Sequence, residues 1–470
     1  MKKIIYIIIE TVRRELDSKI ILALKAKENN FDVAITKKSR LFGVLKYLKS
    51  GIIFLKSFGP RYNKILDNVK KNGHVLTGID EEGLQSTNDE QLVGSMRFSK
   101  YVYKELKILF TWGSRSGKIY RKYLKRNKLD ISKIIESGSP RVDILKEKYN
   151  KIFRTKDNGI FPYQNKKFIL ITTQFQNYNQ SDNILKGFDK KNFNNYLKKK
   201  YKNSKFSKGK HFKEEIRRYA GKFDYQRENF LKYDQMYAIL CNKFPKETFL
   251  IVPHPGEGLK YYEKLEKKYK NLSIITENSN LNKWIMSSKF LISCNCTTTI
   301  EARILNVPNI NYIPYKDVLA EYELTKSSSL NFRKIFSLIN FIQNKKYVKF
   351  KLPKDNQKNI KRYLANFSNN YSVDIIVKNL KTIKINYKNF NNKNEGHLLF
   401  FYLFTKSKLH SFIGFFNREL FKNQLNKRKG LNLRDINKRL DEIQLVLYKK
   451  KNIDLHKSFT VFLIWKKFSY

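Results

Sequence analysis

The sequence predicts an α/β protein: two halves built from parallel β-α units, followed by a mostly helical region. Three observations lead there. Short apolar runs recur over residues 1–315, each followed by roughly 10–15 residues of helical pattern, the alternation that parallel sheets produce. The alternation pauses once, after Gly138-Ser139-Pro140-Arg141-Val142-Asp143, where a first domain of about 150 residues would close. A chain of 470 residues is also long enough for two full cores and an appendage.

In order, residues 3–9 read as a buried strand. Residues 12–29 follow with Leu16, Ile20, Ala23, Leu24 and Ala26 near helical spacing. Further strands are expected at 31–36, 52–56, 74–79, 108–111 and 134–136, completing a Rossmann-like domain over 1–150. Residues 168–172 open the second domain, 151–330. The polar tract between them and His211 reads as a long loop or lid, and 213–240 as one long helix. Strands at 249–252, 272–275 and 290–293 follow, and the domain completes near Pro314. Residues 331–470 form a basic, aromatic-rich helical extension with aromatic runs at 398–404 and 459–465.

The formal charge of +55 favours anionic partners such as nucleic acid, acidic headgroups, nucleotide phosphates or acidic glycans. Lysine far outnumbers arginine, however, and Asn, Ile, Tyr and Phe are abundant, a bias spread over the whole chain. Charge alone therefore selects no partner. There is no RNA-recognition motif, zinc finger or helix-turn-helix signature, so no specific nucleic acid is expected. Three cysteines make neither a disulfide framework nor a zinc site. No apolar run reaches membrane-spanning length. The expected location is the cytoplasm, either soluble or attached peripherally at the anionic inner-membrane surface.

Ligands in such sheets sit beyond the carboxyl ends of the strands, so residues just after each run are the candidates. Pro253-His254-Pro255-Gly256-Glu257 ends one strand abruptly, because proline cannot continue the ladder. His254 is thereby placed at the rim, where it can donate to a phosphate, or it simply occupies a turn. Thr297, Thr298 and Thr299 open a helix after another strand, a position suited to phosphate. Thr298 and Glu301 also have capping-box spacing, which needs no ligand, and Glu301 can alternatively meet a ribose. After the first strand stand Arg14, Glu15 and Asp17, either cleft-facing groups for acid–base work or a solvated first helical turn. Asp80-Glu81-Glu82-Gly83 follows the fourth strand without an aspartate-x-aspartate metal pattern, so no metal is expected.

The chain resembles bacterial surface carbohydrate biosynthesis proteins of the GT-B glycosyltransferase type. Arg14-Glu15-Leu16-Asp17, Lys56-Ser57, Gly73-His74-Val75, Asp80 to Leu84 and Phe110-Thr111-Trp112-Gly113 carry the likeness in its first half. Gly138-x-Pro140-Arg141-x-Asp143, His254-Pro255 and Cys296-Thr297-Thr298-x-Ile300-Glu301-Ala302 continue it. The Gly-x-Pro-Arg-x-Asp and His-Pro elements are similar to those of CDP-glycerol glycerophosphotransferases. A His-Pro with a later Ser/Thr pair is similar to capsule polysialyltransferases and Kdo transferases.

The resemblance implies two Rossmann-like domains facing a cleft and a metal-independent transferase without a cofactor. Its substrate would be a nucleotide-activated donor, a CMP-sugar or CDP-polyol, used on a glycan or lipid-linked acceptor of capsule, lipopolysaccharide or O-antigen. It implies donor-phosphate binding by His254, Thr297 and Thr298, and Glu257, Thr299 and Glu301 beside them are further donor-binding candidates. Glu15 is the first choice of base, Asp80 and Glu81 the reserve, with Arg14 and Asp17 orienting the acceptor. Where glycine is expected after the threonine pair, this chain has Thr299. A nucleotide-sugar epimerase of the same fold and a nucleic-acid-binding protein are the alternatives.

Overall fold

The structure, a computed structural model, describes residues 2–10, 12–84, 90–94, 97–154, 168–179, 210–276, 280–317, 320–367, 370–387 and 433–448. The aromatic runs at 398–404 and 459–465, and most of the polar tract before His211, lie outside these residues. The chain divides into two compact units, 1–155 with 361–470, and 156–360. The expected 331–470 extension is thus shared between them.

Among its described residues the first unit holds six strands: β1 (Ile4–Ile9), β2 (Asp32–Lys37), β3 (Ile52–Leu55), β4 (Val75–Ile79), β5 (Leu106–Phe110) and β6 (Ile134–Ile135). All pairings are parallel, in the order β2-β1-β3-β4-β5-β6. Parallel strands need crossovers that cover both faces, and β3 is accordingly buried along its whole length. One core packs Tyr6, Ile8, Ile53, Leu55, Phe98, Tyr103 and Leu109 together.

The second unit repeats the plan with β7 (Phe168–Thr172), β8 (Phe249–Val252), β9 (Leu272–Ile274), β10 (Ser288–Ser293), β11 (Asn309–Tyr312) and β12 (Leu330–Phe332). Its order is β12-β11-β10-β7-β8-β9, again parallel throughout. The long helix Lys210–Lys243 lays Tyr233, Met236, Tyr237 and Leu240 onto this sheet's core. The α/β class with two Rossmann-like domains read from the sequence is therefore present.

Two stretches of the resemblance prove to be docking points for residues 363–373. Asp143 is wholly buried. It accepts from Lys146 Nζ at 3.0 Å, Ser372 Oγ at 3.2 Å and the Val373 N–H at 2.9 Å. It thereby caps the helix Ser372–Thr382, whose own N-cap residue Tyr371 supplies no side-chain bond. Gly138, at φ +77°, lies so close to the returning chain that a Cβ would meet Ser372 Oγ at 2.4 Å. The Trp112 carbonyl accepts the Ala365 N–H at 2.7 Å, and a Cβ on Gly113 would strike the Tyr363 carbonyl at 2.5 Å.

Candidate functional site

Each sheet reverses its strand order once, and in open parallel sheets the ligand crevice forms at that switch, beyond the carboxyl ends. In the second unit the chain leaves β7 toward β8 on one side and later builds β10 on the other, so the switch lies between β7 and β10. His254 follows β8 and Thr297 follows β10. The two segments therefore do not end neighbouring strands: β7 lies between them.

The residues ending β7 join the two. Thr172 Oγ1 and Thr298 Oγ1 are 2.8 Å apart across the switch. Thr173 Oγ1 donates to Glu257 Oε1 at 2.7 Å, and the same oxygen accepts the N–H groups of Phe175 at 2.9 Å and His254 at 3.2 Å. Tyr262 O–H donates to the other oxygen, Oε2. Sequence reasoning took Thr172 as the end of a strand and passed over Thr173. The signal that marked His254 and Thr297, polar residues just beyond an apolar run, was present there too.

These bonds define what each candidate can do. Glu257 is 2% exposed, and both its oxygens are occupied by the turn it organises. It corrects the expectation of a donor-binding carboxylate: it holds the loop, and burial raises its pKa against the pull of those donors. His254 Nδ1 accepts the Gly256 N–H at 3.1 Å, so the neutral ring carries its proton on Nε2. The helix Thr298–Ile304 has Thr297 as N-cap, without a side-chain cap bond. The capping box therefore does not form, because the Thr298 hydroxyl turns to Thr172 and Ser293 instead. Thr299 is fully buried and donates to the Cys296 carbonyl at 2.9 Å, so its side chain is turned away from any ligand. Thr297 and Glu301 are half-buried.

In the first unit the switch lies between β1 and β3. Here the proposed base is enclosed. Glu15 is 0% exposed, with Oε1 accepting from Lys56 Nζ at 2.9 Å and Oε2 from the Glu10 N–H at 3.0 Å. Burial pushes its carboxyl up, but Lys56 and Lys19 outweigh that and hold it below its ordinary value. A carboxylate that is buried, paired and acidified is a poor general base. Lys56 also reaches Glu10 Oε2 at 2.8 Å, and the Glu10 side chain is 61% exposed.

The reserve candidates are paired as well. Asp80 accepts from Arg97 Nε at 2.7 Å and from the Glu82 N–H at 3.1 Å. Glu81, 1% exposed, pairs through Oε1 with the wholly buried Lys19. Its Oε2 is buried with no hydrogen-bond partner among the described residues. Arg14 links Glu82 at 3.2 Å with Glu15 at 3.6 Å. Asp17 departs from the acceptor role expected of it: Arg439 of the helix Leu433–Tyr448 grips both its oxygens, at 2.8 and 2.9 Å. Among the described residues, no group of three or more His, Cys, Asp and Glu could hold a metal ion. No described helix is long and apolar enough to cross a membrane.

No protein-family profile matches the chain, and no curated protein is similar to it in sequence. Several solved structures are similar to it. MnaA of Staphylococcus aureus with UDP is 12% identical, aligning 81% of this chain with 96% of that one at a TM-score of 0.47. A putative UDP-N-acetylglucosamine 2-epimerase of Listeria monocytogenes is 10% identical over 81% and 96%, with a TM-score of 0.49. The wall teichoic acid polymerase TagF is 12% identical over 81% and 88%, with a TM-score of 0.45. Likenesses at this level do not extend to activity.

Proposed function

We propose that the protein transfers a sugar, or a polyol phosphate, from a nucleotide-activated donor to a hydroxyl of a growing cell-surface glycan. The observation that carries this is the bonded junction at the second sheet's switch point. Thr172 and Thr173 tie the His254 turn to the Thr297–Thr298 segment, where an anionic ligand would meet the imidazole N–H of His254 and the hydroxyl of Thr297. His254, by its Nε2 proton, and the hydroxyl of Thr297 would bind the donor phosphates and stabilise charge growing on the leaving group. Glu301 would meet the ribose.

On the acceptor side, Glu10 replaces Glu15 as the base of the proposal. It is the exposed carboxylate at the first sheet's switch point, and Glu15 positions it by sharing Lys56. Removing such a base slows transfer by about 10²–10⁴-fold with binding retained.

The sequence resemblance favours a cytidine nucleotide. The test is thermal stability against CMP, CDP, UDP, GDP and dTDP. Ligand at about 100 times its dissociation constant adds about 2.7 kcal/mol to the folded state. CMP or CDP should stabilise most, and His254→Ala should abolish the effect. A clear UDP preference overturns the cytidine choice. No stabilisation by any nucleotide overturns the transferase reading, and acceptor-independent epimerisation of a nucleotide sugar replaces it with the alternative.

A further inference from the structure

Strand register brings a second set of charges to the first sheet's switch point. Ile9 pairs with Lys37, so Glu10 follows beside Lys38. Ile7 pairs with Phe54, which carried two residues on sets Ile9 beside Lys56. Arg61 stands just after β3, in the short helix Pro60–Ile65. Lys38 thus interacts with both Arg61 and Lys56, and among the described residues Glu10 and Glu15 are the carboxylates paired with Lys56.

Lys38 is not an ordinary surface lysine. It is half-buried, with Nζ 3.6 Å from the ring centroid of Tyr62, which is itself buried. Burial, then Arg61 and Lys56, lower its pKa, and Glu10 offsets this only in part. Among the described residues, neither Lys38 nor Arg61 has a carboxylate within ion-pair distance. Glu10 and Glu15 balance Lys56 first, so Lys38 and Arg61 still repel one another in the free protein, and a bound anion relieves that repulsion.

We propose that Lys38 and Arg61, with Lys56 behind them, form a site for a compact anionic group of the acceptor, a phosphate or a carboxylate. An acceptor held there by its anion would present a neighbouring hydroxyl to Glu10. The acceptor role rests on the transferase reading; the anion site itself does not.

The full chain is titrated with inorganic phosphate, glycerol 3-phosphate, glucuronate and, as a neutral control, glucose, at constant ionic strength. Acylation of the Lys38 amine by limiting reagent is followed by mass spectrometry in the same samples. The anions should protect Lys38 and glucose should not; the better of phosphate and carboxylate identifies the acceptor's charged group. Lys38→Gln and Arg61→Gln should each weaken binding about tenfold, a loss typical of one charged hydrogen bond. Lys267→Gln, at an exposed lysine of the other unit, should change nothing. An unprotected Lys38, or an equal loss in Lys267→Gln, overturns the site, since a +55 chain attracts anions everywhere. Nucleotide stabilisation measured on the same variants separates the two ideas. Anion binding without any nucleotide effect sinks the transferase reading alone, and the reverse sinks the anion site alone.

Discussion

Replacing Glu15 with glutamine distinguishes a structural carboxylate from a catalytic one. Cutting a buried ion pair costs about 3–5 kcal/mol when the remaining charge is stranded. Here glutamine still accepts one bond, and Lys56 keeps Glu10 at 2.8 Å, so the loss should be about 2–3 kcal/mol. Native-state hydrogen exchange reads this locally. Amides of β1 and β3 should exchange about 30- to 140-fold faster, while those of β7 and β8 stay unchanged. The pH dependence has a definite sign. Glu15's pKa is depressed in the fold, so its contribution is fully present above the unfolded value and lost as pH falls through the folded one. The gap between wild type and Glu15→Gln should therefore be constant from about pH 5 upward and close in acid. Unchanged exchange in β1 and β3, with turnover lost a hundredfold or more, would refute this account and make Glu15 the base.

Two other substitutions probe buried carboxylates. Asp143→Ala strips the cap from the helix Ser372–Thr382 and leaves Lys146 with the Asn366 and Asn370 carbonyls but no carboxylate, so unfolding of the first unit should ease by about 3 kcal/mol, with new proteolytic cuts between residues 361 and 383. Glu257→Gln should cost about 1–2 kcal/mol, since its carbonyl can take the three bonds on Oε1 but its NH2 cannot accept the Tyr262 O–H, whereas Glu257→Ala should cost about 3 kcal/mol or more by orphaning all four. Urea denaturation compares the pair, and equal losses would show that the charge itself is needed.

The strands were legible because a parallel strand covered on both faces leaves an unbroken apolar run. Phe168–Thr172 and Phe249–Val252 lie where expected, and the long helix expected at 213–240 spans Lys210–Lys243. β11 was hidden by polarity: Asn309 and Asn311 are buried there, and Asn311 Oδ1 accepts the Asn295 N–H at 2.7 Å. Strand order was not legible either, because chain order does not say that β7 lies between β8 and β10. For the site, the sequence marked strand ends correctly as places but could not give burial. Asp17, Glu15 and Asp143 look alike as exposed acids in a basic chain. Only their partners Arg439, Lys56 and Val373 show them to be fasteners.

The bond from Val373 to Asp143 spans 230 residues, and that separation orders events during synthesis. The second unit, 156–360, is one continuous stretch and can close while the chain is still being made. The first begins earlier but lacks its last pieces until residues beyond 360 emerge. At roughly 5–20 residues per second the Asp143 carboxylate waits ten seconds or more for Ser372 and Val373. The usual N-to-C sequence of domain maturation is thereby inverted. A fragment ending at residue 155 would hold all six strands of its sheet and still carry a buried acid with nothing to cap, so expression of that half alone should yield an unstable, protease-sensitive product.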